Sequence, residues 1–227
     1  MNEQLKRIKS KIEQLRQLDK NLTLFGSNTH KYCLNPTLSE DTILNFETTH
    51  NITLPNDYKE FLTKIGNGGI GPAYGLEKFE NALFDDLDYK RPNSLLNLRV
   101  PFPHTKPWNE EFIPTVNMAD DEEEFERQYS DFSRDLMNGV LSICNFGCGI
   151  SIKLVINGLE YGNIWTDDRA NEGGIYPSYE LGNKEKITFL NWYELWLDNS
   201  LNKIKEKFEN KQIEIKNTNQ KPWWKIW

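Results

Sequence analysis

Between residues 141 and 166 the sequence reads as strand, strand, turn and strand, and an aromatic helix downstream dictates how that sheet must be covered. Residues 141–145 (LSICN) and 150–156 (ISIKLVI) are apolar and rich in β-branched side chains, the composition of strands buried on at least one face. Asn157-Gly158 comes directly after, a strong two-residue hairpin signal because both positions tolerate positive φ. The spacing predicts a return strand over 159–166. Further along, Phe189, Trp192, Tyr193, Trp196, Leu197 and Leu201 recur at helical spacing behind Thr188, a candidate N-cap, and form an aromatic stripe on one helix face. Such a stripe needs an apolar surface to bury against, and the sheet supplies it.

The N-terminal half is helical by the same criterion. Leu5, Ile8, Ile12, Leu15 and Leu18 predict an amphipathic helix over 3–19. Residues 20–37 read as a polar connection. Ser39, with Glu40 and Asp41 behind it, marks a second helix start, with Ile43, Leu44 and Phe46 on its apolar face. Pro55 opens a third helix carrying Tyr58, Phe61, Leu62 and Ile65, which Gly66-Asn67-Gly68-Gly69 stops. From 70 to 135 the pattern is irregular, with one short helix expected near 120–137. Residues 212–227, ending Pro222-Trp223-Trp224-Lys225-Ile226-Trp227, read as a short strand or extended tail. Helices first, a meander next and a helix last predict an α+β domain: N-terminal helices, a curved antiparallel β-sheet meander and a C-terminal helix packed on the sheet.

Composition narrows the function. At 227 residues the chain is long enough for one domain with extensions. The absence of any apolar run near 20 residues argues against a membrane span. The charged opening MNEQLKRIKSKIEQLRQL has no apolar core of a signal peptide. Three cysteines do not make a disulfide framework. These features point to a reduced, cytoplasmic protein. The formal net charge is -7, and residues 110–135 hold ten acids against two bases, so nearly all of the charge sits in one segment. An acidic surface repels nucleic acid, which makes DNA or RNA an unfavoured partner.

Motifs that suggest chemistry fail on context. Gly66, Gly68 and Gly71 have the spacing of a dinucleotide loop, but they come after a helix and run into Pro72, whereas such a loop must follow a strand and open a helix. Cys144 and Cys148 lack a second pair, and His30, His50 and His104 have no metal-ligand spacing. No nucleophile elbow is present. Neither a catalytic residue nor a cofactor or metal is therefore assigned.

Several segments taken together resemble a known family. Leu54-Pro55-Asn56-Asp57-Tyr58-Lys59-Glu60-Phe61-Leu62, then Asn67-Gly68-Gly69 and Gly71-Pro72-Ala73-Tyr74-Gly75-Leu76, are similar to the opening signature of the SUKH superfamily, in its Smi/Knr branch. Asn145-Phe146-Gly147-Cys148-Gly149 and Asn157-Gly158-Leu159-Glu160-Tyr161-Gly162-Asn163-Ile164-Trp165 resemble its central hairpin, and residues 189–197 its closing helix. The resemblance spans about 38–201, leaving 1–37 as a helical extension and 202–227 as a helix end with a Trp-rich tail. It implies an α+β domain and, for most bacterial members, a non-enzymatic immunity protein that binds and blocks a cognate polymorphic toxin. For eukaryotic relatives it implies a regulator, so an adaptor for an intracellular protein client is the alternative. A nuclease or deaminase toxin would present a basic cleft, which an acidic partner meets. The residues expected to bind it are Asp85, Asp86, Asp88, Asp120, Asp121, Glu122, Glu123, Glu124, Asp167 and Asp168, the run 120–124 reading equally as a solvated helix face, with Tyr74 and Trp165 as either aromatic anchors or core residues.

Overall fold

The computed structural model describes residues 3–91 and 94–219, the side chains of 211–219 excepted. Four N-terminal helices come first: α1 (Glu3–Leu18), α2 (Ser27–His30), α3 (Glu40–His50) and α4 (Asn56–Lys64). A long irregular stretch carries α5 (Glu122–Ser133). The sheet is built from β1 (Val140–Gly147), β2 (Ile150–Val155), β3 (Ile164–Asp168) and β4 (Gly174–Pro177), and α6 (Phe189–Asn219) closes the described chain. The strands pair antiparallel in the order β1-β2-β3-β4, a meander. The architecture is α+β, with the C-terminal helix on the sheet.

Side-chain alternation divides the sheet into two buried faces. Leu141, Ile143, Ile152, Leu154 and Ile164 enter the main core with Tyr58 and Phe61 of α4 and Phe189, Trp192, Tyr193 and Leu197 of α6. Leu5, Ile8, Ile12 and Leu15 of α1 join the same core, so the first helix is part of the packing around α6. Arg7 and Lys11 tie the two helices together at 2.8 Å from Glu194. The opposite face, with Val140, Val155, Trp165 and Ile175, packs against Phe102 and Met137 from the irregular stretch.

Four sequence expectations are corrected. The return strand begins at Ile164 rather than at 159. Asn157 does not turn the chain tightly, because its side chain donates to the carbonyls of Leu98 and Arg99 and its carbonyl accepts from Phe102 N–H at 2.9 Å. Residues 156–163 therefore form a longer connection, and Leu159 is exposed. Thr188 does not cap α6 with its side chain: Oγ1 accepts from the Asn191 side chain at 3.2 Å, and its carbonyl accepts from Trp192 N–H. Asp57, on α4, accepts from Leu190 N–H at 3.2 Å and caps α6 across 133 residues of sequence. Residues 212–219 continue α6 as helix, while Trp223-Trp224-Lys225-Ile226-Trp227 lies outside the described residues. Finally, β4 has no counterpart in the sequence reading, since Gly174-Ile-Tyr-Pro177 is too short to show a period.

Candidate functional site

The second face of the sheet carries charge as well as apolar contacts. Lys153 on β2 and Asp167 on β3 point to the side opposite the helices. The Lys153 side chain is fully buried, with Nζ donating to Asp85 Oδ1 at 2.8 Å, to the Asp85 carbonyl at 2.9 Å and to Ser142 Oγ at 2.8 Å. Arg169, just past β3, donates from Nε to Asp167 Oδ1 at 2.7 Å, and from Nη2 to Asp167 Oδ2 at 2.8 Å and Asp85 Oδ2 at 3.2 Å. Two cations and two carboxylates thus neutralise each other. Burial would raise the Asp85 carboxyl, but the charges of Lys153 and Arg169 outweigh it and hold the group down at about 2. Burial alone would lower the Arg169 guanidinium; the Asp167 and Asp85 carboxylates raise it instead.

This network anchors the loop around Asp85 to the sheet. Asp86 Oδ1 accepts the N–H groups of Asp88 and Tyr89 at 2.8 and 3.1 Å, a side-chain-closed turn. Asp88 accepts from Asn145 Nδ2 at 2.6 Å, fixing the loop tip to the end of β1. The result is a cleft of about 380 Å³ bordered by Asp86, Asp88, Tyr89, Asn145, Ser151 and, from α5, Tyr129.

The predicted residues separate into distinct groups. Asp85, Asp86, Asp88 and Asp167 meet at this cleft. Asp85 and Asp167 are nevertheless engaged by Lys153 and Arg169, and Asp167 is nearly inaccessible, so these two carboxylates build the site and are not free recognition groups. Asp168 sits at the end of β3, accepting from Asn171 Nδ2 at 2.7 Å. The run 120–124 lies at the start of α5, where Asp121 Oδ1 caps the helix by accepting Glu124 N–H at 3.1 Å. From Asp121 to Tyr129 the helix rises roughly 12 Å, which places the run beyond the cleft. Hydrogen bonds from Arg127 hold the Glu124 carboxyl at about 2. Tyr74 is exposed and faces Phe25, ring centroids 5.5 Å apart. A Cβ on Gly147 would come within 2.8 Å of its ring, so Tyr74 packs on the β1–β2 turn whose other residues border the cleft.

Trp165 is corrected. It has no exposed surface and packs on Phe102 at 5.0 Å, with Lys186 Nζ 5.6 Å from its ring centroid. An aromatic on a central strand of a sheet covered on both faces has nothing to offer a partner.

Sequence reasoning missed the groups that hold α5. Phe112 lies 5.5, 5.3 and 5.4 Å from Phe125, Tyr129 and Phe132, and Phe132 lies 5.7 Å from Trp108. The spacing 125, 129, 132 is a helical stripe that the surrounding acids obscure. Lys153 and Arg169 carried no signal, since a lysine inside an apolar run and an arginine after a strand are common.

Elsewhere the chemistry is quiet. Cys144 is buried with Sγ donating to the carbonyls of Pro72 and Gly75 at 3.2 and 3.1 Å, and burial pushes its thiol well up, away from the thiolate needed for attack. Among the described residues no group of three His, Cys, Asp or Glu side chains is placed to hold a metal ion, and no helix is long and apolar enough to cross a membrane. Gly68 and Gly69, with φ of 74° and 103°, turn the chain after α4. A Cβ on Gly69 would meet the Cys33 carbonyl oxygen at 2.4 Å, so close backbone pairing accounts for this glycine run.

Searches of curated proteins and of solved structures return no match. A family comparison does return one, over residues 37–180, a span running from the segment before α3 through the whole sheet, and on that match the chain belongs to the SMI1/KNR4 family (SUKH-1).

Proposed function

We propose that this protein is an immunity protein that acts without catalysis, binding a cognate basic toxin in the cytoplasm and blocking it stoichiometrically. The observation that carries the reading is the distribution of charge around α5 and the adjoining loops. Asp86, Asp88, Asp168 and the run 120–124 carry their carboxylates on loops beside the sheet, at the end of β3 and at the start of α5, while the nearby cations Lys153 and Arg169 are already neutralised by Asp85 and Asp167. A toxin that works on nucleic acid needs a cationic cleft, and a negative surface is steered to it and competes for it. Family membership supports a protein partner, and a surface of loops supported on a rigid sheet is suited to binding one.

The test is capture from the native host with the tagged full chain, then co-expression of the captured partner with and without the chain. Capture of a protein that stops growth alone, and is harmless when the chain is present in equimolar amount, supports the reading. Capture of a non-toxic client transfers the protein to the regulatory class. Failure to restore growth against the captured toxin rejects the reading.

A further inference from the structure

A second cleft adjoins the first at Tyr129, Ser133 and Arg169, which border both; it lies between α5 and the β3–β4 turn, and its walls differ in kind from the first. It measures about 530 Å³. Trp108, Phe112, Tyr129 and Phe132 form its apolar wall, in ring contacts of 5.3 to 5.7 Å, and Glu110, Glu111 and Glu172 stand at its rim. The sheet side is rigid: Trp108 and Ile175 exchange backbone hydrogen bonds at 2.8 and 2.7 Å, and Asn109 Nδ2 donates to the Glu172 carbonyl at 2.8 Å.

The charge in this groove is uncompensated. Arg169 reaches it, but its guanidinium is bound by Asp167 and Asp85. Among the described residues none of the three rim glutamates is in an ion pair, unlike Glu124 and Asp131 on the outer side of α5, which Arg127 engages. Aromatic faces bearing a negative quadrupole under a carboxylate rim attract a planar cation with an apolar stem, and guanidinium stacks on such rings better than ammonium does.

We infer that this groove receives an arginine side chain of a partner protein, stacked on the aromatic wall of Trp108, Phe112, Tyr129 and Phe132 and paired with Glu110, Glu111 or Glu172. The inference rests on the proposed function only for which protein bears that arginine.

The full chain, labelled with ¹⁵N, is titrated at low salt with N-acetyl-arginine amide, and in parallel with the neutral isostere N-acetyl-citrulline amide and with N-acetyl-leucine amide. The readout is the indole N–H resonance of Trp108. Arginine amide should give a saturable shift, with a dissociation constant on the order of 1–10 mM for so small a ligand. Citrulline and leucine amides should bind at least about fivefold more weakly. The variant Glu110→Gln/Glu111→Gln/Glu172→Gln, exposed substitutions that leave the aromatic wall in place, should bind arginine amide roughly tenfold more weakly. No saturable shift, equal binding of citrulline or leucine amide, or an unweakened triple variant overturns the inference. A toxin neutralised by a chain that ignores arginine amide would sink the groove and leave the immunity reading standing; arginine binding with no growth rescue would do the reverse.

Discussion

The ammonium of Lys153, with no exposed surface, lies 2.8 Å from the carboxylate of Asp85, which comes from a loop 68 residues earlier in the chain. That contact fastens the irregular acidic stretch to the sheet. It also explains how a lysine survives in the middle of a buried strand: each of its three protons has an acceptor, so the desolvation of its charge is offset.

Lys153→Met tests the fastening. Breaking a buried ion pair from one side typically costs about 3–5 kcal/mol. Because Asp85 is a third exposed and keeps Arg169, a loss of about 2–3 kcal/mol is expected, read from urea unfolding. A loss below about 1 kcal/mol would show that the pair contributes little to holding the loop.

Acid should weaken the fold in two stages. Burial lowers His30 to about 4 and lowers His50 and His104 from their ordinary 6.5. Below 6.5 the unfolded chain therefore binds more protons than the folded one, and stability declines as pH falls toward 4. The second stage belongs to Glu194, held at about 2 by its hydrogen bond from Arg7, and to Asp85, also at about 2. Their contribution is present above the ordinary carboxylate range and is lost on the way down to 2. Asp57, raised by burial, works in the opposite direction from its ordinary value upward. Urea midpoints should fall between about pH 7.5 and about pH 5; a rise over that interval would contradict the lowering of the histidines by burial, most of all His30 and His104.

Trp192 has no exposed surface and packs 6.3 Å from Phe189 in the main core. Trp192→Ala should cost about 3–5 kcal/mol as a core truncation. An equally stable variant would mean that the α6 stripe is not a core face.

The α5 helix has no buried residue and is held by the Phe112 ring cluster and by Gln128, which bonds Thr115 through its side-chain oxygen and amide. Phe112→Ala should release it locally. Amide exchange across 122–133 should accelerate at least about tenfold, while the global urea transition moves by about 1 kcal/mol or less. Unchanged exchange would place the anchor elsewhere.

Replacing Asp120, Asp121, Glu122, Glu123 and Glu124 by Ser keeps a capping side chain at position 121, so stability should change little. Association with the captured partner should slow at low salt, with the difference fading as salt rises. An on-rate indifferent to both changes would assign the run to a solvated helix end.

The local sequence determined α1, α3, α4, α5, the first two strands and the face of α6, because each depends on periodicity within one segment: the 3.6-residue recurrence of Leu5, Ile8, Ile12 and Leu15, the β-branched run at β2, the aromatic stripe at 189–201. The ordered motifs also carried the family. Tertiary structure alone decided which acids are free. Asp85 and Asp86 are neighbours with the same side chain, yet the first is consumed by Lys153 and Arg169 and the second closes a turn. It likewise decided that Asp57 rather than Thr188 caps α6, that Asn157 serves the 98–102 segment instead of a tight hairpin, and that Trp165 lies between sheet and loop. Each of these turns on a partner tens of residues away, and a charge or a ring has no role until its neighbour across space is fixed.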